Sequence, residues 1–230
     1  PVLGSARRRQ PHADAAARTR ADKLVSLLIP VQKAYCTDRG FDACVMAQQV
    51  LGGHGYVAEW GLEQNVRDAR IAQIYEGANG VQALDLMGRK TVRANGELLA
   101  LLSEEMDAFV ASQAGVPAMQ SYLVSLATCR KVLSDATLFV IDSAASNPEE
   151  IGAASYAYME LMGLTLYCFM WQRILAAALA DKGGDNAEYL DGLVKVGEFF
   201  LARQVPRVHS LLAEIEAGSE SLMAMAANQF

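Results

Sequence analysis

Apolar residues recur three and four positions apart along most of the chain, and no apolar/polar alternation bounded by turn residues reads as a strand. The pattern predicts an all-α fold. A first helical stretch covers residues 13–51; Pro30 interrupts it, and the polar run Thr37-Asp38-Arg39-Gly40 adds a kink. Gly52-Gly53-His54-Gly55 then breaks it, because three glycines in four residues do not hold a helix. A short helix follows over residues 59–74 and stops near Glu76-Gly77. A longer one runs from Ala78 toward Ser112, with Val81, Leu84, Leu98, Leu101 and Leu102 among its apolar positions.

Gly115-Val116-Pro117 is the clearest break and divides the chain into segments 1–114 and 115–230, read as two helical domains. Three more long helices are expected beyond it. Asn147-Pro148-Glu149-Glu150 has the form of a capping box, with Pro at the first helical position and Glu at the third. Gly183-Gly184 closes that helix, Asp185-Asn186-Ala187-Glu188 opens the next with a second box, and Pro206 kinks the last. Tyr156, Tyr158, Tyr167, Phe169 and Trp171 read as core and helix–helix packing.

Composition narrows the function classes. A chain of 230 residues that is 52% hydrophobic is long enough to bury a core and too apolar to stay disordered. A net charge of −6 argues against a nucleic-acid partner. The longest uncharged run, residues 108–129, is too polar and too broken by Gly115 and Pro117 to span a membrane. Cys36, Cys44, Cys129 and Cys168 form no C-x-x-C pair and have no His at metal-ligand spacing, so no metal site is expected. Cys129 and Cys168 sit among apolar neighbours as small buried hydrophobes, and the usage as a whole points to a reducing, cytoplasmic setting. The Arg-rich opening reads as a loop at which a longer chain was cut.

Residues 48–90 differ in texture, with glycines clustered at two helix breaks and a helix starting after each. Helix N-termini carry unpaired N–H groups and the positive end of the helix dipole, which suit a phosphate or a developing oxyanion. Paired glycines are also the ordinary mark of tight turns in a helical bundle. Glu76 follows Ile71, Ile74 and Tyr75, so apolar side chains lie close to its carboxylate, as a general base working near neutral pH needs. A solvated loop carboxylate is the alternative. His54 lies between glycines, and His12 and His209 belong to no motif.

The stretch IAQIYEGANGVQ, residues 71–82, resembles the catalytic signature of the acyl-CoA dehydrogenases, and the likeness extends over residues 28–90. The EGANGVQALDLMGRK version with a helical extension is most similar to the larger bacterial members, including the methylthiopropanoyl-CoA dehydrogenases. The resemblance implies that Glu76 takes the α-proton of an acyl-CoA thioester while a hydride leaves the β-carbon for FAD, giving a trans-2-enoyl-CoA. It implies that the backbone N–H of Glu76 hydrogen-bonds the thioester oxygen, with Gly77 lining the substrate pocket. Gln49-Val50-Leu51-Gly52-Gly53 resembles the family's Q-x-x-G-G element, so Gln49, Gly52 and Gly53 are the implied contacts to the FAD of a neighbouring subunit. A homo-oligomer, dimer or tetramer, and an electron-transfer flavoprotein are the implied partners.

Two positions depart from the family pattern: Ala78 stands where many relatives have a Thr that contacts the flavin, and Gly80 where some have a polar side chain. The family's central β-barrel and N-terminal helical domain have no counterpart here. That implies a piece of a longer enzyme, inactive by itself. A non-enzymatic helical module derived from the family, serving oligomerisation or interaction, is the alternative.

Overall fold

The computed structural model describes residues 14–181 and 186–229, and every regular element among them is helical. Helix α1, Ala15–Val50, opens on Asp14, whose side-chain oxygen accepts from Ala16 N at 2.9 Å. That bond satisfies one of the amides a helix start leaves unpaired. The helix runs unbroken through Pro30 and past Gly40, contrary to the interruption and kink expected there. Pro30 costs about 3 kcal/mol in a helix interior. Leu27, Val31, Ala34 and Tyr35, all buried on the same face, hold the two sides of it in line.

After a turn at Gly53–Tyr56 and a 3-10 turn at Ala58–Trp60, helix α2, Leu62–Ile74, runs back along α1. The antiparallel register shows in two pairs: Arg70 lies over the Phe41 ring at 5.9 Å, and Gln73 Nε2 donates to Asp38 Oδ1 at 2.6 Å. Helix α3, Asn79–Leu84, continues as a π-helical stretch, Asp85–Val92. The chain then turns before α4, Glu97–Gln113, so the single helix expected from Ala78 toward Ser112 is two. Asn95 and Gly96 are both left-handed there, with φ of 46° and 73°, and Gly96 N closes back onto Thr91 O at 3.0 Å.

A 3-10 turn at Pro117–Met119 leads into α5, Gln120–Ser146, then α6, Glu149–Ala180. The expected capping box is half made: Asn147 Oδ1 accepts from Glu149 N at 3.1 Å. Its return arm is missing because Asn147 N already donates to Ser143 O at the end of α5, 2.9 Å away. Glu150 instead accepts from Ser219 Oγ at 2.6 Å and Ser219 N at 3.1 Å, fastening the chain's last segment to the start of α6. Gly183, Gly184 and Asp185, expected to close α6 and open the next helix, lie outside the described residues. Helices α7, Ala187–Arg203, and α8, Arg207–Glu216, are separate, so Pro206 marks a break rather than a kink.

The core is organised on α6. Tyr158, Met159, Leu161, Met162 and Leu175 are fully buried, and one hydrophobic cluster joins them to Leu27 and Tyr35 of α1, Leu86 of the π-helical stretch and Leu133 of α5. It crosses the Gly115–Pro117 turn without interruption. Gly163 sets the spacing of α1 and α6, since a Cβ there would lie 2.2 Å from the Tyr35 ring. Cys129 and Cys168 are buried as expected, and the Cys168 thiol, beside Cys129 and out of water, is held above the ordinary thiol range. Helix α6 is long and apolar enough by composition to cross a membrane, and more than half of that stretch is buried inside the fold.

Candidate active site

Helix α2 ends where Tyr75 N donates to Ile71 O at 3.1 Å. Glu76 and Gly77 then take left-handed conformations, φ 50° and 84°, before α3 begins. An L-residue such as Glu pays roughly 1–2 kcal/mol for that conformation. The φ of Gly77 favours glycine, and a Cβ there would also lie 2.5 Å from Gln82 Nε2, which would have to swing aside. No side chain caps α3, and its first amides stay open beside the turn. The Glu76 carboxylate is exposed within this chain, and Ile74, Tyr75, Val81 and Leu84 near it are each about half exposed.

The turn rests on a buried polar network. Asn79, 5% exposed, donates from Nδ2 to Asp38 Oδ1 at 2.7 Å, Thr37 Oγ1 at 3.0 Å and Ala34 O at 3.2 Å. Its Oδ1 accepts from Lys33 Nζ at 2.7 Å. Asp38, equally buried, also accepts from Gln73 Nε2 at 2.6 Å and, on Oδ2, from the Tyr156 hydroxyl at 2.5 Å. Burial and the hydrogen bond to Asp38 push the Tyr156 phenol above its ordinary range, so it stays a donor. Next to this cluster Arg39 pairs with Asp42 at 3.0 Å and Glu160 at 3.4 Å. Burial lifts the Glu160 carboxyl, and Arg39 opposes that shift.

Sequence reasoning missed Asp38, Asn79 and Tyr156. The signal was present for Asp38: Leu27, Val31, Ala34 and Tyr35 step along one face of α1, and the next position on that face is a carboxylate. Tyr156, assigned to the core with its aromatic neighbours, is 45% exposed, whereas Tyr158 and Phe169 are buried as expected.

Gln49, Gly52 and Gly53 lie at the far end of α2 from Glu76. The 13 residues of that helix separate the two groups by roughly 20 Å at 1.5 Å per residue. Gly55 is there for packing, since a Cβ on it would lie 2.1 Å from Gln48 O. A Cβ on Gly52 or Gly53 would meet nothing within 4 Å, but Gly52 takes φ of 56°, a conformation that favours glycine, so only Gly53 has no internal reason of this kind. A shallow groove of about 680 Å³, lined by Gln48, Tyr56 and Arg67 among others, opens beside them. Exposed glycine backbone admits the close approach of a phosphate-bearing cofactor, while the groove itself carries both Arg67 and Glu63. His54 packs against Trp60, ring centroids 5.5 Å apart.

The family model described as "Acyl-CoA dehydrogenase, C-terminal domain" matches residues 9–90, and "Acetyl-CoA dehydrogenase C-terminal like" matches residues 102–226. The chain belongs to the acyl-CoA dehydrogenase family. It is 33% identical over 199 residues to the 3-methylmercaptopropionyl-CoA dehydrogenase of Ruegeria pomeroyi, covering 84% of this chain and 33% of that protein. It is 30% identical over 216 residues to the broad-specificity linear acyl-CoA dehydrogenase FadE5 of Mycobacterium tuberculosis, covering 88% and 35%. A butyryl-CoA dehydrogenase of Syntrophomonas wolfei is 26% identical over 226 residues, covering 95% and 36%. The chain thus spans about a third of the length of these curated relatives. Within the family, α1, α2 and α3 fall in the first matched region, and α5 to α8 in the second.

Proposed function

We propose that this chain is the C-terminal, base-bearing part of an FAD-dependent acyl-CoA dehydrogenase, with Glu76 as the base. The observation that carries the reading is the Glu76–Gly77 turn: a strained carboxylate on a prepared bed, inside the stretch that resembles the family signature. Its carboxylate takes the α-proton of an acyl-CoA thioester, and the charge that develops on the thioester oxygen is met by the Glu76 N–H. Gly77 keeps that approach open. FAD, when bound, supplies the acceptor for the hydride that leaves the β-carbon. Exposed as it is here, the Glu76 carboxylate needs the rest of the protein to close over it and exclude water.

Gln49, Gly52 and Gly53 are the proposed contacts to FAD. Their distance from Glu76 supports a flavin shared across subunits of a homo-oligomer, one chain offering the glycine turn and another the base. By the same family logic electrons pass to an electron-transfer flavoprotein. The test is Glu76→Gln in the complete, flavin-loaded protein, with butyryl-CoA as substrate and dye reduction as readout. Turnover is expected to fall about 10²–10⁴-fold with flavin content and thermal midpoint unchanged. A variant that still dehydrogenates at the parent rate removes Glu76 from the mechanism.

A further inference from the structure

Both flanks of the Glu76 turn are tied to a single atom. Gln73, in the last turn of α2, and Asn79, the first residue of α3, donate to Asp38 Oδ1 at 2.6 and 2.7 Å. The other oxygen, Oδ2, takes the Tyr156 hydroxyl at 2.5 Å, and Tyr156 belongs to α6 in the C-terminal half of the chain. We infer that Asp38 is the positioning residue for Glu76, and that Tyr156 fixes Asp38 in turn. The inference rests on Glu76 being the base proposed above.

A carboxylate that is 5% exposed is costly unless its oxygens are filled, and hydrogen bonds to an ionised acceptor are short and strong. Here the named donors are neutral amides and a phenol, while the Lys33 ammonium goes to Asn79 Oδ1 at 2.7 Å. Losing one donor leaves the anion underpaired, so the cluster favours one arrangement of all its members. That arrangement is the one holding residues 74–78 between two fixed points, with Glu76 at φ 50° in the middle. Freed from either point, the turn relaxes toward a commoner backbone conformation and the carboxylate moves. A displacement of about 1 Å costs on the order of 10²-fold in rate. The C-terminal half of the chain thereby bears on the site through the Tyr156 hydroxyl, beside the packing of α6 against α3.

The test uses the complete, flavin-loaded protein with butyryl-CoA. Asp38→Ala is expected to lower kcat per bound flavin about 10–100-fold and leave KM nearly unchanged. Asp38→Asn keeps an oxygen that accepts from Gln73 and Asn79, and is expected to recover part of the loss. Tyr156→Phe removes one hydroxyl and lowers kcat less. In all three, amide hydrogen exchange is expected to quicken at residues 75–80 while the amides of α5 and the middle of α6 keep their protection. An Asp38→Ala protein with the parent kcat, or an Asn variant no better than Ala, overturns the inference. Should Asp38→Ala fail to fold, Tyr156→Phe decides, and parental kcat with parental exchange at 75–80 overturns it. Glu76→Gln run alongside separates the two readings: if it is inert while Asp38→Ala is fully active, the positioning role alone falls.

Discussion

Adding a methyl group at position 77 would set a Cβ 2.5 Å from Gln82 Nε2 on a backbone with φ of 84°. Gly77→Ala is therefore expected to cost about 1–2 kcal/mol, to change the turn conformation and to depress turnover more than stability. Comparing the thermal midpoint with kcat per flavin checks it. Gly163→Ala acts elsewhere: its Cβ would lie 2.2 Å from the Tyr35 ring, deep between α1 and α6. Overpacking there is expected to destabilise by about 1–3 kcal/mol, read as a lower midpoint in chemical denaturation. Replacing Tyr35 by a smaller residue in that background should return part of the loss. At this scale the turns at Gly52-Gly53 and Glu76-Gly77 were legible because glycine punctuation is local, whereas Glu76 is singled out as a base by resemblance to the family signature. The sequence did not show Asp38 or Tyr156, whose hydrogen bond joins positions 118 apart in the chain.

Helix types were legible and helix ends less so. Pro30 suggested an interruption because the cost of proline is local, whereas the burial that offsets it comes from other helices. Asn95-Gly96 is an ordinary turn signal, overlooked because apolar residues continue at helical spacing on both sides of it. The return arm of the Asn147 box went to Ser219, a partner 69 positions from Glu150. That contact makes a pH prediction. The Ser219 hydroxyl and N–H hold the Glu150 carboxyl below its ordinary value. A group whose folded pKa is depressed stabilises at pH above its unfolded value and loses that contribution as pH falls through the folded one. Ser219→Ala is expected to be less stable than the parent at pH 7, with the gap closing as pH drops from about 5 to about 3. Denaturation curves across that range check it, and a gap independent of pH would dissociate Glu150 from it.

At the scale of the whole molecule, the Gly115–Pro117 turn reads from sequence as a boundary, yet one hydrophobic cluster runs across it. Periodicity gives each helix an apolar face without saying which helix covers it. The consequence for unfolding is direct: loss of structure in α1 and in α6, followed by separate probes, is expected to coincide in denaturant. Two resolved transitions would show the halves to be independent.

The close approach of α1 to α6 at Gly163, together with the Tyr156–Asp38 bond, also bears on inheritance. Segments that share a core and a hydrogen bond to the residue beneath the Glu76 turn no longer behave as exchangeable parts. A chimaera taking residues 14–114 from this chain and the remainder from a relative would need that relative to bring both a glycine facing Tyr35 and a donor facing Asp38. A junction that parts α1 from α6 is thus expected to cost stability unless both features are matched.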